Sequence, residues 1–209
     1  MNNKKVKLLI LMALLFISCQ VDKSTENDND SNNNNDIETE ISLITPYVNQ
    51  SDMASINEAF SSDSTAPWGF EHRGIDFFPK GELKPFRAVC SGVIDELILW
   101  QLESTKNWQV SVRIHYNSIY DVNYAFEPVS PLQEDGEIQL DNMTITLGQT
   151  VSQGDTIGYL HTPRNGAHVD FSLFENWNSV CPEPYFTPAA RDSIIKLIQV
   201  AWPGAKMCY

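Results

Sequence analysis

Basic residues are scarce in this chain of 209 residues: 14 lysines and arginines stand against 27 aspartates and glutamates, and the net charge at pH 7 is −13. This balance argues against electrostatic binding to nucleic acid or to an anionic lipid surface. Long apolar runs are missing beyond the N-terminus, so no conventional membrane-spanning helix is predicted there. The length fits one domain with tails, and such a domain can bury a core without a disulfide framework.

Cysteine is limited to four residues, and their spacing does not match a thiolate zinc knuckle. Cys90 lies in a strand pattern and is predicted to be a small buried hydrophobe. Cys181 and Cys208 lie in proline-containing segments and are the better candidates for a disulfide, provided that the chain is exported. Lysine is absent between residues 127 and 163, which argues against a lipoyl- or biotinyl-carrier hairpin in that stretch.

The N-terminus has the pattern of a secretory signal peptide. Three lysines precede an apolar run over residues 8–17 that is too short to span a bilayer, and Ser18 then precedes Cys19. A small residue followed directly by cysteine resembles a bacterial lipobox. The resemblance implies that residues 1–18 are a lipoprotein signal peptide and that Cys19 is lipidated, which would anchor the protein to a membrane of the bacterial cell envelope, facing the periplasm or the outer-membrane surface. The alternative is an ordinary signal peptide that contains a cysteine.

Residues 19–47 are predicted to be a disordered acidic tether. Seven acidic residues and one lysine lie between residues 20 and 47, and the stretch from Glu26 to Asp36 has no apolar residue to bury. Chains with charges of one sign repel themselves and extend. The folded domain is therefore predicted to span residues 48–209.

This domain is predicted to be mainly β, a β-rich sandwich with peripheral helices. Strand patterns cover residues 89–100, 108–115, 120–126, 138–147 and 168–174. Val151 and residues 157–160 are predicted to form a hairpin around a turn at Gly154 and Asp155. Helices are predicted over residues 52–60 and 187–201 from their capping residues and apolar content.

The candidate chemistry lies in segments that are far apart in the sequence. His72 and Asp76 are four residues apart, and Gly74 between them gives the chain freedom to turn. His168 and Asp170 are two residues apart on a predicted strand, so their side chains should point to the same face. If the two elements face each other, two imidazoles and two carboxylates surround one point, and such groups can hold a divalent metal.

The order of these segments resembles the lysostaphin-type zinc endopeptidases, which cut peptide cross-bridges of bacterial cell walls. The resemblance covers roughly residues 66–176. It is carried by the His72-x-Gly74-x-Asp76 motif, the strand at 88–94, the Ile114-His115 pair, the glycine- and valine-containing run at 148–158, and the segment His168-Val169-Asp170. It implies a metallopeptidase domain built on a duplicated motif with sandwich-like sheets, with His72 and Asp76 as metal ligands and His168 as a catalytic residue.

Two positions depart from the family pattern. Asp170 stands where the family has a ligating histidine, and Phe126 stands where the family's Tyr-Ala-His segment has a catalytic one. A phenylalanine can neither transfer a proton nor donate a hydrogen bond to an oxyanion. A metal set of His72, Asp76 and Asp170 would be neutral with a divalent ion and would make manganese more competitive with zinc.

If no metal binds, the two aspartates would repel each other. An arginine such as Arg164 or Arg73 would then have to intervene, or one carboxyl would have to stay protonated. His161 is a possible substitute for the missing histidine. His115 occupies a position where the family also has a histidine, and a hydrogen bond within the sheet is its simpler interpretation.

The resemblance leaves two functions open. The substitutions fall on chemistry rather than on packing, which favours a catalytically degenerate domain that binds peptidoglycan or an envelope protein. The alternative is an active endopeptidase that hydrolyses cell-wall peptides through the altered His/Asp/Asp site with zinc or manganese, and with His168 as the acid/base.

Overall fold

The computed structural model describes residues 40–209, so the predicted signal peptide, Cys19 and residues 19–39 of the predicted tether lie outside the described residues. Within residues 40–209, no helix is long and apolar enough to cross a membrane. The described part contains ten strands and two α-helices. The prediction of a mainly β fold with helices is confirmed.

The strands form one large antiparallel sheet and one small one. The strands are β1 (Met53–Ile56), β2 (Ile75–Pro79), β3 (Lys84–Arg87), β4 (Gly92–Gln101), β5 (Trp108–His115), β6 (Tyr120–Pro128), β7 (Thr150–Val151), β8 (Thr156–Leu160), β9 (Ala167–Glu175) and β10 (Asn178–Val180). The large sheet has the order β1-β2-β9-β6-β5-β4-β7, with β10 paired to β9, and the small sheet pairs β3 with β8. Helix α1 spans Gln133–Asp141 and helix α2 spans Pro188–Ala201.

The two faces of the large sheet differ sharply in polarity. Along β9, Val169, Phe171 and Leu173 are buried in the core, while the residues between them point to the other face. The same alternation holds along β6, where Phe126 faces the core and packs edge-on against Phe86 of the small sheet. The polar face of β2, β9 and β6 carries the residues of the candidate site.

The folded unit begins earlier than the sequence predicts. Ile41, Leu43 and Tyr47 are at most 2% exposed and belong to the hydrophobic core. The Leu43 backbone donates a hydrogen bond to Tyr185 and accepts one from Thr187. The predicted end of the tether at residue 47 is therefore wrong, because the apolar residues that follow the acidic run alternate and dock onto the domain.

The predicted helix at residues 52–60 is also wrong. A single 3-10 turn over Gln50–Asp52 leads directly into β1, whose Met53 and Ile56 are buried. This strand pairs with β2 and also packs against α2. Pairing with the sheet edge therefore outweighs the capping signal at Ser51 and Asp52.

Two predictions between residues 138 and 160 need correction. The predicted strand at 138–147 does not form, and its first residues belong to helix α1, which ends at Asp141. Gly136 of this helix permits close packing against Trp108 and Leu99. The predicted hairpin at 151–160 does not form, because β7 pairs with β4 and β8 pairs with β3. Both segments take their partners from distant parts of the chain, which local patterns do not reveal.

Candidate functional site: a histidine and carboxylate cluster

His72 is held in one orientation by the backbone around it. Its Nδ1 atom lies 3.0 Å from the carbonyl oxygen of Gly74 and 3.3 Å from that of Ala59. Carbonyl oxygens only accept hydrogen bonds, so Nδ1 carries the proton and donates it. The other ring nitrogen, Nε2, is therefore the one that can offer a lone pair when the ring is neutral, and it faces the acidic side chains of the site. This is the arrangement in which a ligating histidine is oriented by its neighbours.

Asp76 and Asp170 lie opposite each other on neighbouring strands. Asp76 in β2 is the direct cross-strand partner of Asp170 in β9. Gly74 leaves room for the second carboxylate, since a Cβ atom there would overlap the side chain of Asp170. Ser172 donates a hydrogen bond of 3.2 Å to Oδ1 of Asp170. The two segments that the sequence singles out thus face each other through their carboxylates.

His72 Nε2 lies 3.5 Å from Oδ1 of Asp76 and 3.7 Å from Oδ2 of Asp170. One atom from each of the three residues can be chosen so that all lie within 4.8 Å of one another. Ligands about 2.1 Å from one tetrahedral zinc ion are separated by about 3.4 Å. Oδ1 of Asp76 is buried and accepts no hydrogen bond, which leaves an acceptor without a donor. The three residues therefore fit a divalent cation.

The electrostatics of the three residues point the same way. Burial lowers the pKa of His72, but the Asp76 and Asp170 carboxylates outweigh it and raise that pKa to about 9. Burial and the neighbouring Asp76 raise the pKa of Asp170 to about 7. In the absence of a metal, protonation of His72 and of Asp170 thus neutralises part of the negative charge of the site. A divalent cation would displace these protons.

The predicted arginines do not reach the two aspartates. Arg73 forms an ion pair with Glu71 at 2.6 Å, and its guanidinium lies over the ring of Phe60. Arg164 is exposed in the loop before β9. Among residues 40–209, no lysine or arginine forms an ion pair with Asp76 or Asp170. Of the two ways of relieving the repulsion, the raised pKa of Asp170 fits a protonated carboxyl.

Comparison with known proteins gives similar structures but no family match. No family model matches the chain, and no curated protein matches it. The similar solved structures include a zinc-containing peptidase from Vibrio cholerae, at 18% identity and a TM-score of 0.46, with 68% of this chain and 39% of that chain covered. They also include the catalytic domain of a prophage-encoded M23 protein from Enterococcus faecalis, at 17% identity and a TM-score of 0.48, with 68% of this chain and 97% of that chain covered. A further similar structure is the antimicrobial peptidase lysostaphin from Staphylococcus simulans, at 17% identity and a TM-score of 0.43, with 78% of this chain and 57% of that chain covered. This chain thus spans about two fifths of the length of the Vibrio cholerae peptidase chain.

His168 adds a second imidazole to the same polar face. Its Nε2 atom lies 3.8 Å from Oδ2 of Asp76 and 3.5 Å from Oε2 of Glu127. The ring stacks on Phe78 with a centroid separation of 5.1 Å, which fixes its plane. Its Nδ1 atom is buried without a hydrogen-bond partner. The alternation along β9 places His168 and Asp170 on one face, as their spacing predicts.

Sequence reasoning misses Glu127 because the motif comparison selects the residue beside it. Phe126 pairs with Val169 and is buried in the core, so its side chain is on the wrong face for the site. Glu127 pairs with His168 and points to the polar face. Burial and the nearby Asp76 raise the pKa of Glu127 to about 7. The signal that could have found it is the alternation of β6, in which every second residue is a core residue.

Glu58 is a second acid that the sequence does not single out. It precedes the buried segment that contacts His72, and its carbonyl oxygen accepts a 2.9 Å hydrogen bond from the Asp76 backbone. Burial, followed by the charge of Asp76, raises the pKa of its carboxyl. No motif marks Glu58, because it approaches Asp76 only through the pairing of β1 with β2.

The two other histidines have partners elsewhere. His161 Nε2 lies 2.9 Å from Asp135 of α1, and the His161 backbone N–H donates to Gln139 of the same helix. His115 Nδ1 lies 2.8 Å from Asp121. This contact is at the end of β5, away from Ser111, whose partner Ala125 pairs in turn with Asp170. Neither histidine replaces the missing imidazole. Both link elements of the fold through charge-assisted hydrogen bonds.

Proposed function

We propose that this protein is a metal-dependent endopeptidase that hydrolyses peptides of the bacterial cell wall. The observation that carries the proposal is the convergence of His72 Nε2 with two carboxylates, one of which has a buried oxygen without a hydrogen bond. The reaction class comes from the chemistry of such a centre. The substrate class rests on the sequence resemblance to lysostaphin-type peptidases.

His72, Asp76 and Asp170 would hold the cation. A divalent cation bound there would supply Lewis-acid polarisation of the scissile carbonyl and would activate water. One imidazole and two carboxylates are a harder donor set than two imidazoles and one carboxylate, so manganese should compete with zinc more effectively. The bound cation would also remove the repulsion between the two aspartates.

His168 is the group placed to move a proton. Its Nε2 atom faces the site, and stacking on Phe78 limits rotation of the ring. Oε2 of Glu127 lies 3.5 Å from the same nitrogen. A positioned acid or base contributes about 10²–10⁴-fold to a rate. The altered ligand set and the absence of a second catalytic histidine predict turnover slower than that of an authentic relative.

A specific observation favours a second function, which is binding without catalysis. Phe126 is fully buried in the core, so β6 supplies a carboxylate rather than an imidazole to the polar face. Such a domain would use the same polar face to bind a peptidoglycan peptide or an envelope protein, with or without a metal. The acidic balance of the chain gives no reason to expect nucleic acid as a partner.

The location proposed for this function is the bacterial cell envelope. The support is the signal-peptide pattern and Cys19 directly after it. Lipidation at Cys19 would attach the domain to a membrane, and the acidic segment that follows would act as a spacer. A Cys19→Ser variant should lose incorporation of labelled palmitate and leave the membrane fraction, whereas a Cys90→Ser variant should keep both.

Metal content is the first test. The full protein without residues 1–18, purified without chelator, should contain at least one equivalent of zinc or manganese. Asp170→Ala should lose the cation of this centre, whereas Asp141→Asn, a change at an exposed acid of α1, should not. The metal-loaded protein should cleave cell-wall peptides under conditions in which an authentic lysostaphin-type enzyme does. Metal binding without cleavage, combined with retention on sacculi, would favour the binding function, and no metal even after soaking would exclude the endopeptidase.

A further inference from the structure

The segment that carries His72 is held by a second segment, residues 59–61, that runs beside it. Ser61 and His72 form an isolated antiparallel bridge, in which the Ser61 N–H donates to the His72 carbonyl at 2.7 Å and the His72 N–H donates back at 3.0 Å. The carbonyl oxygen of Ala59 is one of the two acceptors near the His72 ring proton. The backbone of residues 59–61 therefore fixes both the place of His72 and the orientation of its ring.

Ser61 is the point at which several of these contacts meet. It is fully buried, and its hydroxyl donates a 2.8 Å hydrogen bond to the carbonyl oxygen of Phe70. The same oxygen accepts from Trp68 Nε1 and from the His72 N–H, each at 3.0 Å. A serine hydroxyl has one proton and two lone pairs, and these three contacts use all of them. A buried polar group that is fully satisfied makes its surroundings rigid.

Residues 208 and 209 hold this segment in turn. Phe60 and Cys208 form a parallel bridge, and the Tyr209 N–H donates to the Phe60 carbonyl at 3.1 Å. The main-chain oxygen of Tyr209 accepts a hydrogen bond of 3.0 Å from the Ser62 N–H. Phe60 and Ser62 are the two neighbours of Ser61 in the sequence. Residues 208 and 209 therefore hold Ser61 from both sides.

A disulfide attaches residues 208 and 209 to the large sheet. Cys208 is bonded to Cys181, which directly follows β10, and β10 pairs with β9 of the candidate site. Ser179 of β10 also donates a 2.7 Å hydrogen bond to the carbonyl oxygen of Arg73, the residue after His72. The strand next to the disulfide thus contacts one side of the His72 segment, and the residues that the disulfide holds act on the other side through residues 59–61.

We propose that Ser61 and the disulfide-held residues 208 and 209 position His72, so that the affinity of the metal centre depends on the bond between Cys181 and Cys208. This inference rests on the proposed function, because it takes His72 as a metal ligand. The bond forms by exchange with an oxidant that itself carries a disulfide and takes up the two electrons and two protons of the thiols. The centre would therefore reach its full affinity in an oxidising compartment, which fits the proposed export of the chain.

Manganese affinity measures this dependence. The protein without residues 1–18 and with Cys19→Ser is freed of metal with chelator, dialysed and titrated with Mn²⁺ by calorimetry. We expect Cys181→Ser/Cys208→Ser and Ser61→Ala each to lose affinity by about 10- to 100-fold, the usual effect of removing a group that orients a ligand. Combining the two changes should lower the affinity by less than the product of the separate losses, because both act on His72.

The control is a variant that is destabilised away from the site. Ile157 is fully buried in β8 of the small sheet, and Ile157→Ala should lower stability by leaving a cavity. Its Mn²⁺ affinity should equal that of the native protein. Circular dichroism checks that each variant is folded at the temperature of the titration.

Hydrogen exchange provides a readout in the metal-free protein. The Ser61 and His72 amides donate to each other's carbonyls, whereas the Val112 amide lies in β5 between β4 and β6. Loss of the disulfide should raise exchange at Ser61 and His72 by a larger factor than at Val112, because the opening is local.

The outcomes separate this inference from the proposed function. Equal factors at the three amides, or an unchanged Mn²⁺ affinity in Ser61→Ala or in the folded double cysteine variant, would overturn the inference and leave the proposed function intact. If the double variant does not fold, Ser61→Ala alone decides. The absence of Mn²⁺ binding by the native protein would overturn both.

Discussion

The carboxylates of Asp76 and Asp170 form a direct cross-strand pair between β2 and β9, with His72 Nε2 within 3.7 Å of both. Like charges opposite each other destabilise a sheet, so this pair is costly unless a positive charge lies nearby. Residues 40–209 offer no lysine or arginine for that purpose. In the absence of a metal, protonation of His72, whose pKa is raised to about 9, supplies the nearby positive charge, and the proposed cation would replace it.

The fit of Asp170 beside Gly74 provides a first prediction. A methyl group at Gly74 would overlap the Asp170 carboxylate, so Gly74→Ala should displace that side chain and weaken binding of the proposed cation. We expect a loss of about 10- to 100-fold in metal affinity, measured by calorimetry.

Gly69→Ala is the matched control for this prediction. Gly69 has a φ of 82°, and no atom lies within 4 Å of the position that a Cβ would occupy, so its replacement strains the backbone but does not touch the site. It should lower stability by about 1 kcal/mol and leave metal affinity unchanged. Equal losses of affinity in the two variants would show that the effect of Gly74→Ala is general destabilisation.

The disulfide is a second prediction, and it concerns stability. Cys181 and Cys208 are bonded as the sequence predicts, and their sequence separation of 27 encloses α2. Cross-linking a loop of this length typically stabilises the folded state by about 3 kcal/mol. The double variant Cys181→Ser/Cys208→Ser should therefore have a clearly lower midpoint in urea, with a slope that is equal or steeper because the unfolded chain without the cross-link exposes more surface.

Cys90 is the control for reduction of the disulfide. Burial raises the pKa of its thiol to about 12, so it should not react with a thiol reagent in the folded protein. In a Cys19→Ser background, the native protein should show no reactive thiol until it is reduced or unfolded. A reactive thiol in the oxidised, folded protein would contradict the pairing.

Alternation along strands accounts for what the sequence could predict. The alternation along β5 and the spacing of His168 and Asp170 each predict which side chains share a face. The structure has the predicted side chains on one face in both strands. Glu127 escapes sequence reasoning for the complementary reason. The motif comparison aligns Phe126 with a catalytic residue, whereas the pairing of β6 with β9 shows that the neighbouring position faces the site. A shift of one residue exchanges the two faces of a strand.

Features that depend on distant pairing could not be predicted. Residues 53–56 form a strand because β2 lies beside them, and Glu58 approaches Asp76 for the same reason. The acidic composition before residue 40 hides the apolar residues of 41–47 that dock onto the core. In each case the deciding partner lies many residues away, and local composition does not identify it.

The pKa values of the site give a third prediction, for protein kept free of metal with chelator. Burial raises the pKa of Asp170 and of Glu127 to about 7, above their ordinary values of 3.8 and 4.5. The folded state then binds more protons than the unfolded state between about pH 4 and pH 7. The free energy of unfolding should fall as the pH rises through that range.

His72 extends this dependence to higher pH. Its pKa is raised from 6.5 to about 9 because the Asp76 and Asp170 carboxylates outweigh the opposing effect of burial. The contribution of protonated His72 to the free energy of unfolding is fully present below about pH 6.5 and is lost as the pH rises through 9. Thermal unfolding in chelator should show a Tm that falls between pH 5 and pH 9, and Asp170→Asn should flatten the lower half of that range. A Tm that rises over this range, with Asp141→Asn behaving like the native protein, would contradict the assigned charges.

The orientation of β6 gives the last prediction, which separates two ways of introducing an imidazole. Sequence order suggests that Phe126→His restores the family pattern, but Phe126 is fully buried and packs against Phe86 and Tyr124. A histidine there would leave a void and a buried polar ring, and we expect it to cost about 3 kcal/mol or more without any gain in activity. Glu127→His instead places an imidazole on the polar face beside His168. It should be tolerated and should change metal binding or peptide cleavage, so a gain of activity in Phe126→His but not in Glu127→His would show that the register of β6 differs from the one described.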